Sequence, residues 1–198
     1  MSHLCEILVH LNVVLPTTKQ NIVDAAIFIF NEDLSAPLEK VADYAQVTRR
    51  TLHRYFTNRD ELLHACQHTM QKQCNDAITA ALNSSADPAK QLEHMLYAGI
   101  DCGVKYAFFN KLHHLHNHQH AHHNKECARY DATFGKVGAI INKLQDDGVV
   151  SKKLTAEWVS VLFTSVINAT ISTHEWKATG SDELKKFAWF SFSRGVGI

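Results

Sequence analysis

The sequence contains few of the residues that interrupt regular secondary structure. Among 198 residues there are eight glycines and three prolines. Nor does the alternation of apolar and polar residues that marks a β-strand persist beyond short runs. With 45% hydrophobic residues the chain can bury a full core. We therefore predict an all-α protein.

The cysteines do not form a recognisable framework. There are five, widely spaced and without a CxxC pair (Cys5, Cys66, Cys74, Cys102 and Cys127). This pattern indicates reduced thiols rather than a disulfide scaffold. Cys66 and Cys74 fall at core-like spacing on a long predicted helix, so we expect both to be buried.

No long hydrophobic run is present either. The apolar stretch 4–15 contains Glu6, His10 and Asn12, follows no Lys or Arg, and is too short to cross a bilayer. It also lacks the basic start of a secretory signal, so we expect a cytoplasmic protein with no membrane partner. The extension 1–16 is interpreted as an appended helix or a misassigned start, in preference to a DNA-contacting arm, because such arms are usually basic.

Catalytic motifs and an excess of charge are absent as well. The sequence has no glycine-rich phosphate loop, nucleophile elbow, HExxH motif or paired-carboxylate motif, which argues against an enzyme. Its formal net charge is zero. A nucleic-acid binder with this balance has to concentrate its positive charge locally.

Residues 38–62 show such a concentration. Two short amphipathic helices are predicted, the first from Leu38 and the second beginning after Thr48, which is placed to cap its first turn. Residues 46–59 carry a formal charge of +4 and no acid, from Arg49, Arg50, Arg54 and Arg59. A helix pair that is apolar on one side and arginine-rich on the other suits a helix-turn-helix entering the major groove. A merely solvated basic face is the alternative.

The run from Val47 to Phe56, VTRRTLHRYF, resembles the signature of the TetR family of transcriptional repressors. The resemblance covers residues 19–66 and implies a three-helix DNA-binding domain at 17–62, with a helical effector-binding and dimerisation domain at 63–198 and about nine helices in all. The chain departs from the family pattern in three ways. Gln46 replaces a turn glycine, the loop between Phe30 and Leu38 is shorter than is usual in the family, and Pro37 replaces a threonine that commonly touches phosphate.

The resemblance also implies roles for individual side chains at the DNA. Thr48 would cap the recognition helix and offer its hydroxyl to phosphate, and Arg49 or Arg50 would read a guanine through O6 and N7. Thr51 would meet a thymine methyl or a phosphate, and His53 stands where the family often has a phosphate-touching tyrosine. Backbone contacts would come from Arg54, Tyr55 and Arg59.

Beyond the recognition helix the sequence predicts long helices, and residues 156–171 are apolar almost all round. Such a helix has to be covered on more than one side. A second copy of the chain is one cover, and the resemblance implies a homodimer through the last two helices. A central helix in the core of a monomer is the alternative.

A histidine tract lies between His113 and His123, with seven of the fourteen histidines of the chain. If the tract forms one continuous helix, the possible metal ligands lie on a single stripe about 80° wide: His113, His116, His120, His123 and Cys127. Such a stripe suits Zn, Ni or Cu. A solvated low-complexity tract without any ligand, and a pH response, are the alternatives.

The resulting hypothesis is a homodimeric regulator, most simply a repressor, that binds a palindromic DNA operator under the control of a small-molecule effector. No cofactor is required. The effector pocket would be lined by Met95, Phe108, Phe109, Phe134, Trp158 and Phe163, although core packing is the better explanation for any single one of them. A metal-responsive regulator or metal-binding helical protein, with the histidine tract at its centre, is the alternative from another class. The sequence does not identify the effector, the operator or the regulated genes, and it does not separate repression from activation.

Overall fold

The computed structural model describes residues 16–106, 125–174 and 180–198, and this part of the chain is helical without strands. It contains eight helices: α1 (Thr18–Glu32), α2 (Leu38–Tyr44), α3 (Arg49–Tyr55), α4 (Arg59–Asn83), α5 (Pro88–Lys105), α6 (Lys125–Asp146), α7 (Ala156–His174) and α8 (Ser181–Val196). The all-α prediction is confirmed. The sequence predicted about nine helices, and residues 107–124 lie outside the described part.

Local signals in the sequence explain where these helices begin and end. Thr17 caps α1 by accepting a hydrogen bond from the Gln20 amide at 3.2 Å. The Asp87 carboxylate accepts one from the Ala89 amide at 2.9 Å, with Pro88 in the first turn of α5. After α6 the chain turns at Gly148, whose φ of 74° is left-handed. Each of these helix ends carries a residue type that commonly starts or stops a helix.

The chain divides into two compact units, Met1–Cys66 and Gln67–Ile198. The boundary falls within α4, one helical turn beyond the predicted division at residue 62. In the first unit, α1 buries the predicted face Ile22, Ala26, Ile29 and Phe30. The core of this small unit is completed by Leu52, Phe56, Leu62 and Cys66, each fully or almost fully buried. Burying such side chains supplies about 1.5–3 kcal/mol apiece.

In the second unit α5, α7 and α8 share one core. Phe163 and Phe192 meet edge to face, with ring centroids 5.4 Å apart. The helices α5 and α7 approach closely because α5 presents glycine there. A Cβ on Gly103 would lie 1.9 Å from the Cδ1 atom of Ile171, so no larger residue fits without displacement.

A single chain covers only part of the apolar surface that the sequence predicts for α7. Val159 and Phe163 are buried, whereas Trp158 and Val161 are 57% and 56% exposed. On α8 the same division separates Leu184 and Ala188, which are buried, from other apolar side chains that are exposed: Phe187 (54%) and Phe190 (64%). Two helices that pack on each other therefore each turn a second apolar face to solvent.

Hydroxyl groups along α7 bond to their own helix. Ser160, Thr164, Thr170 and Ser172 each donate to the carbonyl oxygen four residues earlier, at 2.8, 3.0, 2.8 and 3.0 Å respectively. A serine or threonine bonded in this way meets its hydrogen-bonding need without a partner from another helix. These four hydroxyl groups therefore do not depend on water for a hydrogen-bond acceptor.

Candidate nucleic-acid interface

The turn between α2 and α3 sets the position of the basic helix. The amide of Val47 donates to the Ala42 carbonyl oxygen at 2.9 Å, which closes the turn. Thr48 then caps α3: its hydroxyl oxygen accepts from the Thr51 amide at 3.1 Å and lies 2.9 Å from the Thr51 hydroxyl. Leu52 and the following Phe56 are buried beneath the helix. The cap and the buried side of α3 are as predicted.

Gln46 adopts the left-handed conformation that this turn requires, with φ of 55°. It is the one non-glycine residue with positive φ in the described part of the chain. A side chain in this region costs about 1–2 kcal/mol relative to the right-handed conformation. Glutamine in place of the turn glycine therefore strains the backbone at this position but does not change the turn.

Replacing Gln46 by glycine relieves this strain. Because the exposed side chain is not buried against any neighbour, we expect Gln46→Gly to raise the free energy of unfolding by about 0.5–1 kcal/mol after the greater flexibility of glycine in the unfolded chain is subtracted. Urea unfolding measures the difference. Gln46→Ala is the matched control and should give no gain, since alanine keeps the Cβ atom. An equal gain from both variants would contradict the backbone explanation.

The basic side chains of α3 point away from the core. Arg49, Arg50, His53 and Arg54 are exposed, while Thr51 and Tyr55 are half-buried. The Arg54 guanidinium lies over the Tyr55 ring, 5.1 Å from its centroid. Six of the eight predicted DNA-binding residues thus lie together on one seven-residue helix, directly after Thr48 at its cap. The arrangement leaves a positively charged helix face open to an anionic partner.

Arg49 makes an ion pair that the sequence analysis did not foresee. Its Nη1 atom lies 2.9 Å from Oε1 of Glu39 on α2, and the arginine side chain is 69% exposed. An ion pair this exposed contributes about 0–1 kcal/mol. The carboxylate therefore orients the guanidinium but yields easily to a phosphate or a base edge. No local signal in the sequence pairs the two residues, because Glu39 and Arg49 belong to different helices.

Arg59, for which the resemblance implied a contact with the DNA backbone, makes contacts within its own domain in the described structure. Its guanidinium donates to the carbonyl oxygens of Ala36, at 2.6 Å, and of Leu34, and it lies over the Phe30 ring at 4.4 Å. A guanidinium held by two main-chain oxygens and an aromatic ring is committed to its own domain. Arg59 thus ties the loop before α2 to the start of α4. From the sequence, only the positive charge of Arg59 was apparent.

The residues proposed from sequence for an effector pocket separate in the structure. Met95 and Phe163 are both buried in the core of the second unit. Trp158 is not with them, because it lies on the exposed face of α7. It lies in the first turn of that helix, where its amide donates to the hydroxyl oxygen of the Thr155 cap at 3.2 Å. Phe108, Phe109 and the side chain of Phe134 lie outside the described residues.

The predicted metal ligands also lie outside the part of the chain that the structure describes. They are His113, His116, His120 and His123, together with the side chain of Cys127. Within the described residues no group of three or more His, Cys, Asp or Glu side chains is arranged to hold a metal ion. Nor is any of the described helices both long enough and apolar enough to cross a bilayer.

Comparison with known proteins adds independent information about the first unit. Residues 22–66 match the sequence model of a family described as "Bacterial regulatory proteins, tetR family". The HTH-type transcriptional repressor LfrR of Mycolicibacterium smegmatis is 31% identical over 86 residues, which make up 43% of this chain and 46% of that protein. The match therefore spans about half the length of this curated relative.

Solved structures resemble the chain over most of its length. LfrR from Mycobacterium smegmatis in complex with proflavine has a TM-score of 0.71 and 20% identity, over 90% of this chain and 96% of that one. The ketosteroid transcriptional regulator KstR2 of Mycobacterium tuberculosis has a TM-score of 0.77 and 11% identity, over 93% and 97% respectively. At such identities the similarity is one of fold.

Proposed function

Because the chain belongs, by its N-terminal domain and its fold, to the TetR family of bacterial regulatory proteins, we propose that it represses transcription by binding a palindromic operator. The α3 helix enters the major groove, with Arg49 and Arg50 at base edges and Thr48, Thr51, His53, Arg54 and Tyr55 at the backbone or flanking bases. The observation that carries this proposal is the capped, arginine-bearing α3 with its basic face exposed and its apolar face buried. The site of action is the cytoplasm, where the chromosome lies.

The protein acts as a homodimer through α7 and α8. Each of these helices exposes a second apolar face, with Trp158 and Val161 on one and Phe187 and Phe190 on the other. Large apolar side chains gathered in this way mark association surfaces. A two-fold dimer presents two copies of α3, which suits an operator with two related half-sites.

A small-molecule effector acts on the second unit. The solved LfrR structure is a complex with proflavine, which supports a small-molecule ligand for a protein of this fold. Among the residues suggested from sequence, Met95 and Phe163 supply apolar surface in the core. Effector binding shifts α4, whose first turns belong to the DNA-binding unit. Only one position of α4 then leaves the two reading helices correctly spaced.

A metal-responsive regulator remains the second hypothesis, with Zn, Ni or Cu at the histidine tract. It depends on the sequence of residues 113–127 alone. Neither hypothesis requires a resident cofactor for DNA binding, and neither gives the protein a catalytic role.

The proposed DNA binding is tested by selection from random double-stranded DNA, followed by titration of the selected site at increasing salt. We expect a palindromic consensus and an affinity that falls steeply with salt, because each contacted phosphate contributes a slope of about −0.9 in log K against log salt. With four or more phosphates per dimer the slope would be about −4 or steeper. Enrichment of no sequence, together with a flat salt dependence, would refute the proposal.

A further inference from the structure

An aromatic pair, Phe28 on α1 and Tyr44 at the end of α2, is exposed on the surface of the first unit. The two rings stack, with centroids 4.6 Å apart and an angle of 15° between their planes. Phe28 is 45% exposed and Tyr44 is 53% exposed, and among the described residues of this unit no other large apolar side chain is exposed. Single exposed apolar side chains are common, whereas two in contact form a patch that a partner can cover.

The aromatic pair lines an open depression of about 440 Å³ between α1 and the end of α2. The other described residues of its lining are small, polar or acidic: Asn21, Asp24, Ala25, Ala45 and Gln46. No lysine or arginine is among them, and the Asp24 carboxylate would repel the phosphate backbone of a nucleic acid. The depression therefore suits an apolar partner and not DNA.

The segment that precedes α1 has the sequence of such a partner. Residues 1–15 lie outside the described residues, so the pattern comes from the sequence alone. On a helix its largest aliphatic side chains would share one arc about 120° wide: Leu4, Ile7, Leu8, Leu11, Val14 and Leu15. Glu6, Val9 and Val13 would fall on the opposite side. A segment with this pattern gains stability by laying its apolar arc on an apolar surface.

The length of this segment matches the distance to the aromatic pair. A helix of residues 4–15 would be about 18 Å long, and Phe28 lies about 15 Å along α1 from Thr18. A segment that reverses direction at Pro16 and Thr17 would thus bring its first turns level with the pair. Since two residues join it to α1, its local concentration at the depression is in the millimolar range. A small apolar contact is then sufficient, which favours this segment over a free partner.

We propose that residues 4–15 form a short helix that folds back along α1 and covers the aromatic pair. The occupant of the depression is thus a segment of the same chain. Its apolar arc packs on the two rings, and Val9 and Val13 face solvent. This intramolecular contact does not depend on the proposed DNA binding.

Hydrogen–deuterium exchange of the full chain, read by mass spectrometry, tests the packing. We expect peptides from residues 4–15 to exchange at least about tenfold more slowly than unstructured peptides of the same sequence. The Phe28→Gln, Tyr44→Gln variant should lose this protection and keep its core, because both side chains are exposed. Val149→Gln, at an exposed valine of the second unit, should leave the protection unchanged. An unprotected segment in the unsubstituted chain, or protection that survives loss of the pair, would overturn the proposal.

A second pair of variants tests which side of the segment is docked. Leu8→Gln with Leu11→Gln places two amides on the apolar arc and should remove the protection. Val9→Gln with Val13→Gln is the matched control, since it changes two aliphatic residues of the same segment on the opposite side, and should keep it. Equal loss in both variants, or protection in both, would contradict docking through this arc.

Photo-cross-linking from Cys5 decides the occupant without any substitution. Cys5 lies outside the apolar arc, so a benzophenone maleimide on its sulfur leaves the arc free. Peptide mapping after irradiation should find links from Cys5 to the peptides that carry Phe28 or Tyr44. In a mixture of unlabelled and ¹⁵N-labelled protein, these links should join peptides of the same isotopic composition. Links between light and heavy chains would assign the depression to a second copy, and they would overturn the proposal, as would links only to other regions or none.

Discussion

Replacing Arg49 and Arg50 together by alanine is expected to lower affinity for the selected DNA site by at least about 100-fold. A bidentate contact from arginine to guanine contributes about 1–3 kcal/mol of discrimination, and a dimer presents each residue twice. Both side chains are exposed on the first turn of α3. Their loss therefore removes base contacts without opening the core beneath Leu52. Fluorescence anisotropy with specific and scrambled duplexes measures the effect.

A matched control separates base reading from the loss of two positive charges. Lys152 and Lys153 are also adjacent and exposed, but they precede α7 in the second unit. The Lys152→Ala, Lys153→Ala variant should keep its preference for the selected site, with only a small decrease in affinity. Thermal unfolding should show that both variants remain folded. If the arginine variant kept its sequence preference, α3 would not be the reading helix.

Introducing aspartate at Val161 and Phe190 is expected to convert the proposed dimer to a monomer. Both residues lie on the exposed apolar faces of α7 and α8, and in a two-fold interface each substitution occurs twice. Burying an apolar side chain of this size supplies about 1.5–3 kcal/mol, and an unpaired carboxylate in its place adds a desolvation cost. The dissociation constant should therefore rise by at least about 1,000-fold.

Light scattering after gel filtration measures this change, as a fall in mass towards the 22.3 kDa of a single chain. Val149→Asp is the control, since Val149 is also an exposed valine of the second unit but belongs to the turn after α6. It should leave the mass of the dimer unchanged. The monomer should also bind the palindromic site weakly, because only one half-site can be occupied at a time. A variant that stayed dimeric would refute the assignment of the interface.

Signals carried by neighbouring residues proved sufficient to predict much of the fold. The bounds of α3 followed from the Thr48 cap and the apolar Leu52 and Phe56, which are all local in sequence. The start of α5 followed in the same way from Pro88. Helix caps and helical periodicity act over one or two turns, so a single sequence is enough to read them.

Features set by distant residues could not be predicted. The binding of Arg59 to the carbonyl oxygens of Leu34 and Ala36 joins positions 23–25 residues apart, so the charge of Arg59 alone did not predict these contacts. The exposure of Phe187 and Phe190 depends on which side of α8 meets the core, and an apolar helix with two apolar sides does not reveal this. The partial exposure of Cys74, which was expected to be buried on α4, depends likewise on which other helices cover that side of α4.

The hydroxyl groups of α7 that bond to their own main chain have a thermodynamic consequence for assembly. In the proposed dimer these groups carry their partners with them, so closing the interface does not strip Ser172 or its neighbours of a hydrogen bond. Little enthalpy is then exchanged with water, and the release of ordered solvent from Trp158, Val161 and the α8 phenylalanines dominates. Association driven in this way has a negative heat-capacity change and weakens on cooling. The affinity of the two subunits for each other would therefore depend on the growth temperature of the cell.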